Sequence, residues 1–209
     1  MRRYITALFL LFSAILSPVC AQQIRSFFMS APDDVLPLLT KNMRADLIDY
    51  IDADMSAKVN NLLDGVSSLD TLGTDYLRLK SSSSSTIEMA LLPYEEGSLI
   101  CVIKSVKAES EDSRIDFYDS SWKHIESESF FKAPAIKDFF VPSDTMGKYM
   151  DMCDLYLVSL RLRKPDNVLV AEYTMPSYMD EENAKVIIPL LRKLVYRWTA
   201  DGFVCETCE

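Results

Sequence analysis

The sharpest chemical motif in the chain is Cys205-Glu206-Thr207-Cys208, two thiols with two residues between them. Such a pair exchanges disulfides when one thiol is acidified, typically by a helix N-terminus that follows it. Only Glu209 follows here, and Glu206 and Glu209 would raise a thiol pKa by their negative charge. The expected state is a disulfide that clips the tail, or a link to Cys101 or Cys153. A thiol–disulfide factor using Cys205 and Cys208 is one alternative function.

His124 is the one histidine. A triad or dyad hydrolase would have to use it with Cys153 or a serine, yet no Gly-x-Ser-x-Gly is present. It falls in an expected strand beside Trp122, which suits a sheet residue. One histidine also removes any multi-histidine zinc site. Asp49, Asp52 and Asp54 are spaced closely enough to suggest calcium. They lack the glycine and the terminal glutamate of a calcium loop, so a solvated helix end is the expected reading. No metal and no cofactor is assigned. The chain has 31 acidic residues, which offer many pairs for glycoside cleavage, but spacing selects none. Trp122, Tyr173 and Tyr178 are the candidate binding aromatics, although Tyr173 falls on the inward face of its strand and packing accounts for most such rings. No catalytic residue is named. Asp70-Thr71-Leu72 and Asp144-Thr145-Met146 resemble an O-glycosylation acceptor pattern.

These groups must be held by a chain of net charge −9. That charge opposes phosphate backbones, so nucleic acid is not expected as a partner. The N-terminus reads as a secretory signal peptide over residues 1–21: basic Met1-Arg2-Arg3, an apolar run from Tyr4 to Leu16, then Val19-Cys20-Ala21. The run is shorter than the ~20 residues that span a bilayer. Cleavage is expected near Ala21, in preference to lipidation at Cys20. Export to the periplasm or cell surface follows, with a mature chain that does not span the membrane. Residues 22–209 are long enough to bury a core as one α+β domain.

Ser30-Ala31-Pro32-Asp33 reads as a helix start with Ser30 as N-cap. The helix is expected to run to about Asp52, with Leu36, Leu39, Met43, Leu47 and Ile51 as its apolar stripe and Lys41, Arg44, Asp46 and Asp49 on the other face. Alternation then predicts strands around Leu77–Leu79, Ile87–Leu91, Leu99–Ile103 and Ile115–Phe117. Leu99–Ile103 is apolar on both faces, as a central strand requires. Short gaps imply an antiparallel meander, and Ser81 to Ser85 reads as a flexible hairpin loop. A short helix is expected before Pro142. Val158, Leu160 and Leu162, a Lys164-Pro165-Asp166-Asn167 turn, and Leu169, Ala171 and Tyr173 predict a hairpin. There Arg161, Arg163 and Glu172 are expected to pair. A last helix is expected from about Glu181 to Thr199, kinked at Pro189 and closed by Gly202. The fold class is α+β, an antiparallel sheet with helices packed against it.

The segments Pro37-Leu38-Leu39-Thr40-Lys41-Asn42-Met43-Arg44, Asp46-Leu47-Ile48-Asp49, Asp75-Tyr76-Leu77-Arg78-Leu79, Leu91-Leu92-Pro93-Tyr94 and Asp116-Phe117-Tyr118-Asp119 resemble the domain-of-unknown-function 3256 family. The resemblance spans most of the mature chain. It implies a small exported protein of gut or oral Bacteroidetes, and it implies no activity, ligand or catalytic residue. The leading expectation is a non-enzymatic envelope protein that binds a protein or glycan partner. The main alternative is a small envelope hydrolase with unlocated carboxylates or a Cys153–His124 pair.

Overall fold

The structure, a computed structural model, describes residues 23–95, 97–143 and 146–206. The expected leader with Cys20 and Ala21, Thr145 and Cys208 lie outside them. Two helices stand where one was expected: α1, Gln23–Ser30, and α2, Lys41–Asp52. Ser30 therefore ends a helix instead of capping one. Pro32 has no N–H for a helical ladder, and residues 31–40 pass as turns that bury Ala31, Val35, Leu36 and Leu39. The working N-cap is Thr40, whose Oγ1 accepts the Met43 N–H at 3.3 Å. Arg44 also departs from its expected polar face and is 0% exposed. Its guanidinium donates to the carbonyls of Ala31 (2.5 Å) and Leu39 (3.0 and 3.2 Å) and to Asp33 (3.2 Å). A cation thus satisfies the carbonyls that the broken helix leaves behind.

Seven strands follow as an antiparallel meander in chain order: β1 Lys58–Asn60, β2 Val66–Leu72, β3 Tyr76–Lys80, β4 Ser85–Tyr94, β5 Gly97–Lys107, β6 Glu111–Tyr118 and β7 His124–Ile125. The serine run is the β3–β4 turn, and its own hydroxyls pin it. Ser82 Oγ accepts from the N–H groups of Ser84 and Ser85 at 3.2 and 3.1 Å. A second antiparallel sheet, not expected from the sequence, holds β8 Val158–Arg163, β9 Val168–Tyr173, β10 Leu194–Thr199 and β11 Gly202–Cys205 in the order β11-β10-β9-β8. The later helices are short: α3, Met146–Met150, comes between β7 and β8, and α4, Glu181–Ile187, comes between β9 and β10. An expected short helix before Pro142 is a 3-10 turn at Ile136–Phe139.

The expected long C-terminal helix ends at Ile187. Pro189 sits in a 3-10 turn over Ile188–Leu190, and the chain re-enters as β10. Leu194 and Tyr196 are buried two residues apart, the strand period hidden inside the helical one. Gly202 closes no helix. It begins β11 with φ +109°, so close to Phe130 that a Cβ would lie 2.5 Å from that residue's carbonyl oxygen.

Alternation along the central strands feeds two cores. Leu99, Cys101 and Ile103 of β5 face the four-stranded sheet with Phe117, Leu160, Leu169 and Tyr196. Ile100 and Val102 face α1, α2 and the 31–39 turns, with Ile24, Phe28, Leu36 and Leu47. The larger sheet is the middle layer, as its doubly apolar strands require. The α+β class holds, with two sheets in place of one.

Candidate functional site

β8 lies over β6, β5 and β4 in turn, and the larger sheet supplies the partners its edge needs. The N–H groups of Val158, Leu160 and Leu162 donate to Asp112 Oδ1 (3.1 Å), Ser113 Oγ (3.0 Å) and Glu88 Oε2 (3.0 Å). Arg161 donates to Ser105 Oγ at 3.0 Å and pairs with Glu111. Arg161 therefore bonds across the sheets, and Glu172 pairs with Lys193 at 2.8 Å; the expected pairing within the hairpin is not made. This polar seam is a device for burying an edge strand. Burial pushes the Glu88 carboxyl above its ordinary range, against the Leu162 N–H and the cations Arg161 and Arg78 that pull it down. The Tyr76 hydroxyl beside it is pushed up to about 12, first by burial and then by Glu88.

Next to the seam is an open groove of about 410 Å³, within the ~300–1,000 Å³ of ordinary ligand sites. Ser113–Asp116 of β6 form one side, Phe131, Val158 and Leu160 add apolar surface, and Glu126–Glu128, Pro134 and Tyr156 complete the lining. β7 is only two residues long and pairs with Phe117 and Tyr118, so it leaves the preceding stretch of the β6 edge uncovered. Ser127 Oγ donates to the Ile115 carbonyl at 3.0 Å, which marks that residue's backbone as outward-facing. By the strand period the backbone of Ser113 faces the same way. Among the described residues, neither Ser113 nor the Ile115 N–H has a further backbone partner on this side.

His124 is in this groove, as a strand residue of β7. Its Nε2 is 3.5 Å from Asp116 Oδ1, which also accepts from Arg114 at 2.8–2.9 Å. This is a positioned imidazole with no nucleophile in line. Ser113 Oγ is engaged by Ser105 and the Leu160 N–H, and Ser127 Oγ by a carbonyl. Cys153 is buried against Tyr173, so the Cys153–His124 pair is not assembled. Burial raises the thiols of Cys101 and Cys153, which disfavours the thiolate that nucleophilic chemistry needs.

The other candidates are scattered. Trp122 packs edge-on to Phe27 and donates to Ser30 Oγ at 3.1 Å. Tyr173 is 4% exposed and donates to the Leu155 carbonyl at 2.7 Å, while Tyr178 is half-exposed. The three do not share a face. Cys205 is disulfide-bonded and Cys101 and Cys153 are free, so the alternative links to those two are not made. Asp52 pairs with Arg25 at 2.7 Å. Among the described residues no cluster of three or more histidine, cysteine or acidic side chains could hold a metal ion, and no helix is long and apolar enough to cross a membrane.

The sequence model of the family described as "Protein of unknown function (DUF3256)" matches residues 16–203. The chain belongs to this family. A solved structure of a domain of an uncharacterized protein from Porphyromonas gingivalis W83 is similar, at 27% identity and a TM-score of 0.77, covering 88% of this chain and 97% of that one. No curated protein matches. The DUF3256 assignment confirms the resemblance carried by the Pro37–Asp49 and Asp116–Asp119 segments, places the chain with an uncharacterised Bacteroidetes relative, and leaves its function unknown. The groove of this DUF3256 protein went unread in the sequence because its parts come from 113–134 and 156–160.

Proposed function

We propose that this DUF3256 protein is a non-enzymatic envelope module, exported and cleaved near Ala21 as one α+β domain of residues 22–209. It binds a polypeptide partner in the groove beside β6. The observation that supports this reading is the uncovered β6 edge: unpaired backbone groups in a concave site offer main-chain hydrogen bonds to an extended chain. A glycan is less well served, since Trp122, Tyr173 and Tyr178 do not line the groove and Tyr156 offers a single half-exposed phenol ring there. The hydrolase alternative lacks the chain of nucleophile, base and orienting group that acyl transfer requires.

The test is affinity capture from envelope extract of the source organism, using the chain from Gln22 and mass spectrometry. The same capture is run with Glu126→Lys/Glu128→Lys in the groove and with Glu182→Lys on α4 as a surface control. A polypeptide retained by the native chain and the control, and lost with the groove variant, supports the reading. Retention that is indifferent to the groove variant, or a polysaccharide in place of a protein, refutes it.

A further inference from the structure

Resting on that polypeptide-binding reading, we infer that the groove's occupant is an extended segment of alternating apolar and basic residues that adds to β6 as a strand. The open edge is bounded on both sides. β7 takes Phe117 and Tyr118, and Thr174 Oγ1 takes the Glu111 carbonyl at 2.5 Å. Between them residues 112–116 of β6 span ~17 Å at ~3.4 Å per residue, and a strand added along all of them displaces the Ser127 hydroxyl from the Ile115 carbonyl. Ser127 already imitates such a partner by placing a donor on the Ile115 carbonyl.

Side chains of an added strand point to alternate sides. Tyr156, 46% exposed, stands over a floor of buried Val158, Leu160 and Phe131, and this apolar side of the groove favours apolar residues in one set. The charge balance of the rim selects the other. Asp116 holds Arg114 and faces His124, whereas Glu126 and Glu128 are exposed and make no ion pair among the described residues. Two uncompensated carboxylates on a chain of net charge −9 attract lysine or arginine and repel acidic segments.

The experiment uses three labelled five-residue peptides: alternating valine and lysine, the same with glutamate for lysine, and the lysine peptide N-methylated on alternate amides. Binding to the exported chain is followed by fluorescence anisotropy, with NMR amide shifts locating the site. The lysine peptide should bind at least tenfold more tightly than either of the others and shift the amides of Ser113 and Ile115. Its affinity should fall severalfold in Glu126→Gln/Glu128→Gln and with added salt. Equal binding of the glutamate peptide overturns the charge selection, and full binding of the N-methylated peptide overturns strand addition. In both cases the polypeptide reading stands if capture still depends on the groove. No binding by any peptide overturns this inference. If capture is also indifferent to the groove variant, the polypeptide reading falls with it.

Discussion

Glu88 offers the sharpest test of how the two sheets are joined. Its carboxylate is 2% exposed and accepts the Leu162 N–H at 3.0 Å, with Arg78 4.0 Å away. Replacing it by alanine leaves that N–H buried and unpaired, at about 1–3 kcal/mol. It also removes a packed methylene, for about 1 kcal/mol. Glu88→Ala should therefore lose about 2–4 kcal/mol in urea unfolding at pH 7. Glu88→Gln keeps an acceptor for Leu162 and removes the buried charge, so its cost at pH 7 should be small. The pH dependence fixes the sign. Burial raises the folded-state pKa of Glu88 above its ordinary 4.5, so the unfolded chain releases the proton first. The stabilisation from this carboxyl is full below 4.5 and is lost as pH rises through the folded value. The stability of the native chain relative to Glu88→Gln should fall with rising pH across that window, by about 1.4 kcal/mol for every pH unit the window spans. A relative stability that rises with pH, or a Glu88→Ala loss under ~0.5 kcal/mol, would refute the account of the seam.

Three further outcomes follow from single sites. Gly202→Ala must adopt φ +109° with its Cβ 2.5 Å from the Phe130 carbonyl oxygen, so it should lose at least ~2 kcal/mol in thermal or urea unfolding; an unchanged midpoint would contradict the close approach. Arg44→Met leaves the Ala31 and Leu39 carbonyls without their buried donor, for about 2–4 kcal/mol. Limited proteolysis should then cut within residues 31–40 before any other segment. Cys101 and Cys153 should resist an aromatic disulfide reagent at about pH 7.5 in the native protein and react in denaturant, because both are buried and burial raises both thiols; rapid native labelling of Cys101 would contradict its position.

Much of the architecture was legible wherever periodicity was unambiguous. Leu99–Ile103 is apolar at every position and became part of β5, an interior strand of the middle layer. Val158, Leu160 and Leu162 alternate and became β8 of the expected hairpin. Periodicity misled where one pattern serves two periods. Leu190, Leu194 and Trp198 recur every four residues, a spacing that fits a period of two as well, and the decision fell to Pro189 and to the place open beside β9. It misled again at residues 31–39, where apolar spacing fits a helix that Pro32 forbids. The polar patterns misled most. Arg44 looked like a solvated helix face and is the buried clasp of a turn, since sequence cannot show which carbonyls a broken helix leaves unpaired.

By itself the sequence determined the strand periodicity, the acidity and the family, because each is a local or summed property of residue types. The tertiary structure decided that strands divide between two sheets, that Asp112, Ser113 and Glu88 satisfy the N–H groups of β8, and that β7 stops short of covering β6. Those outcomes depend on contacts as much as 74 residues apart, and no pattern along the chain encodes which edge is paired, which is capped by side chains and which stays open to a partner.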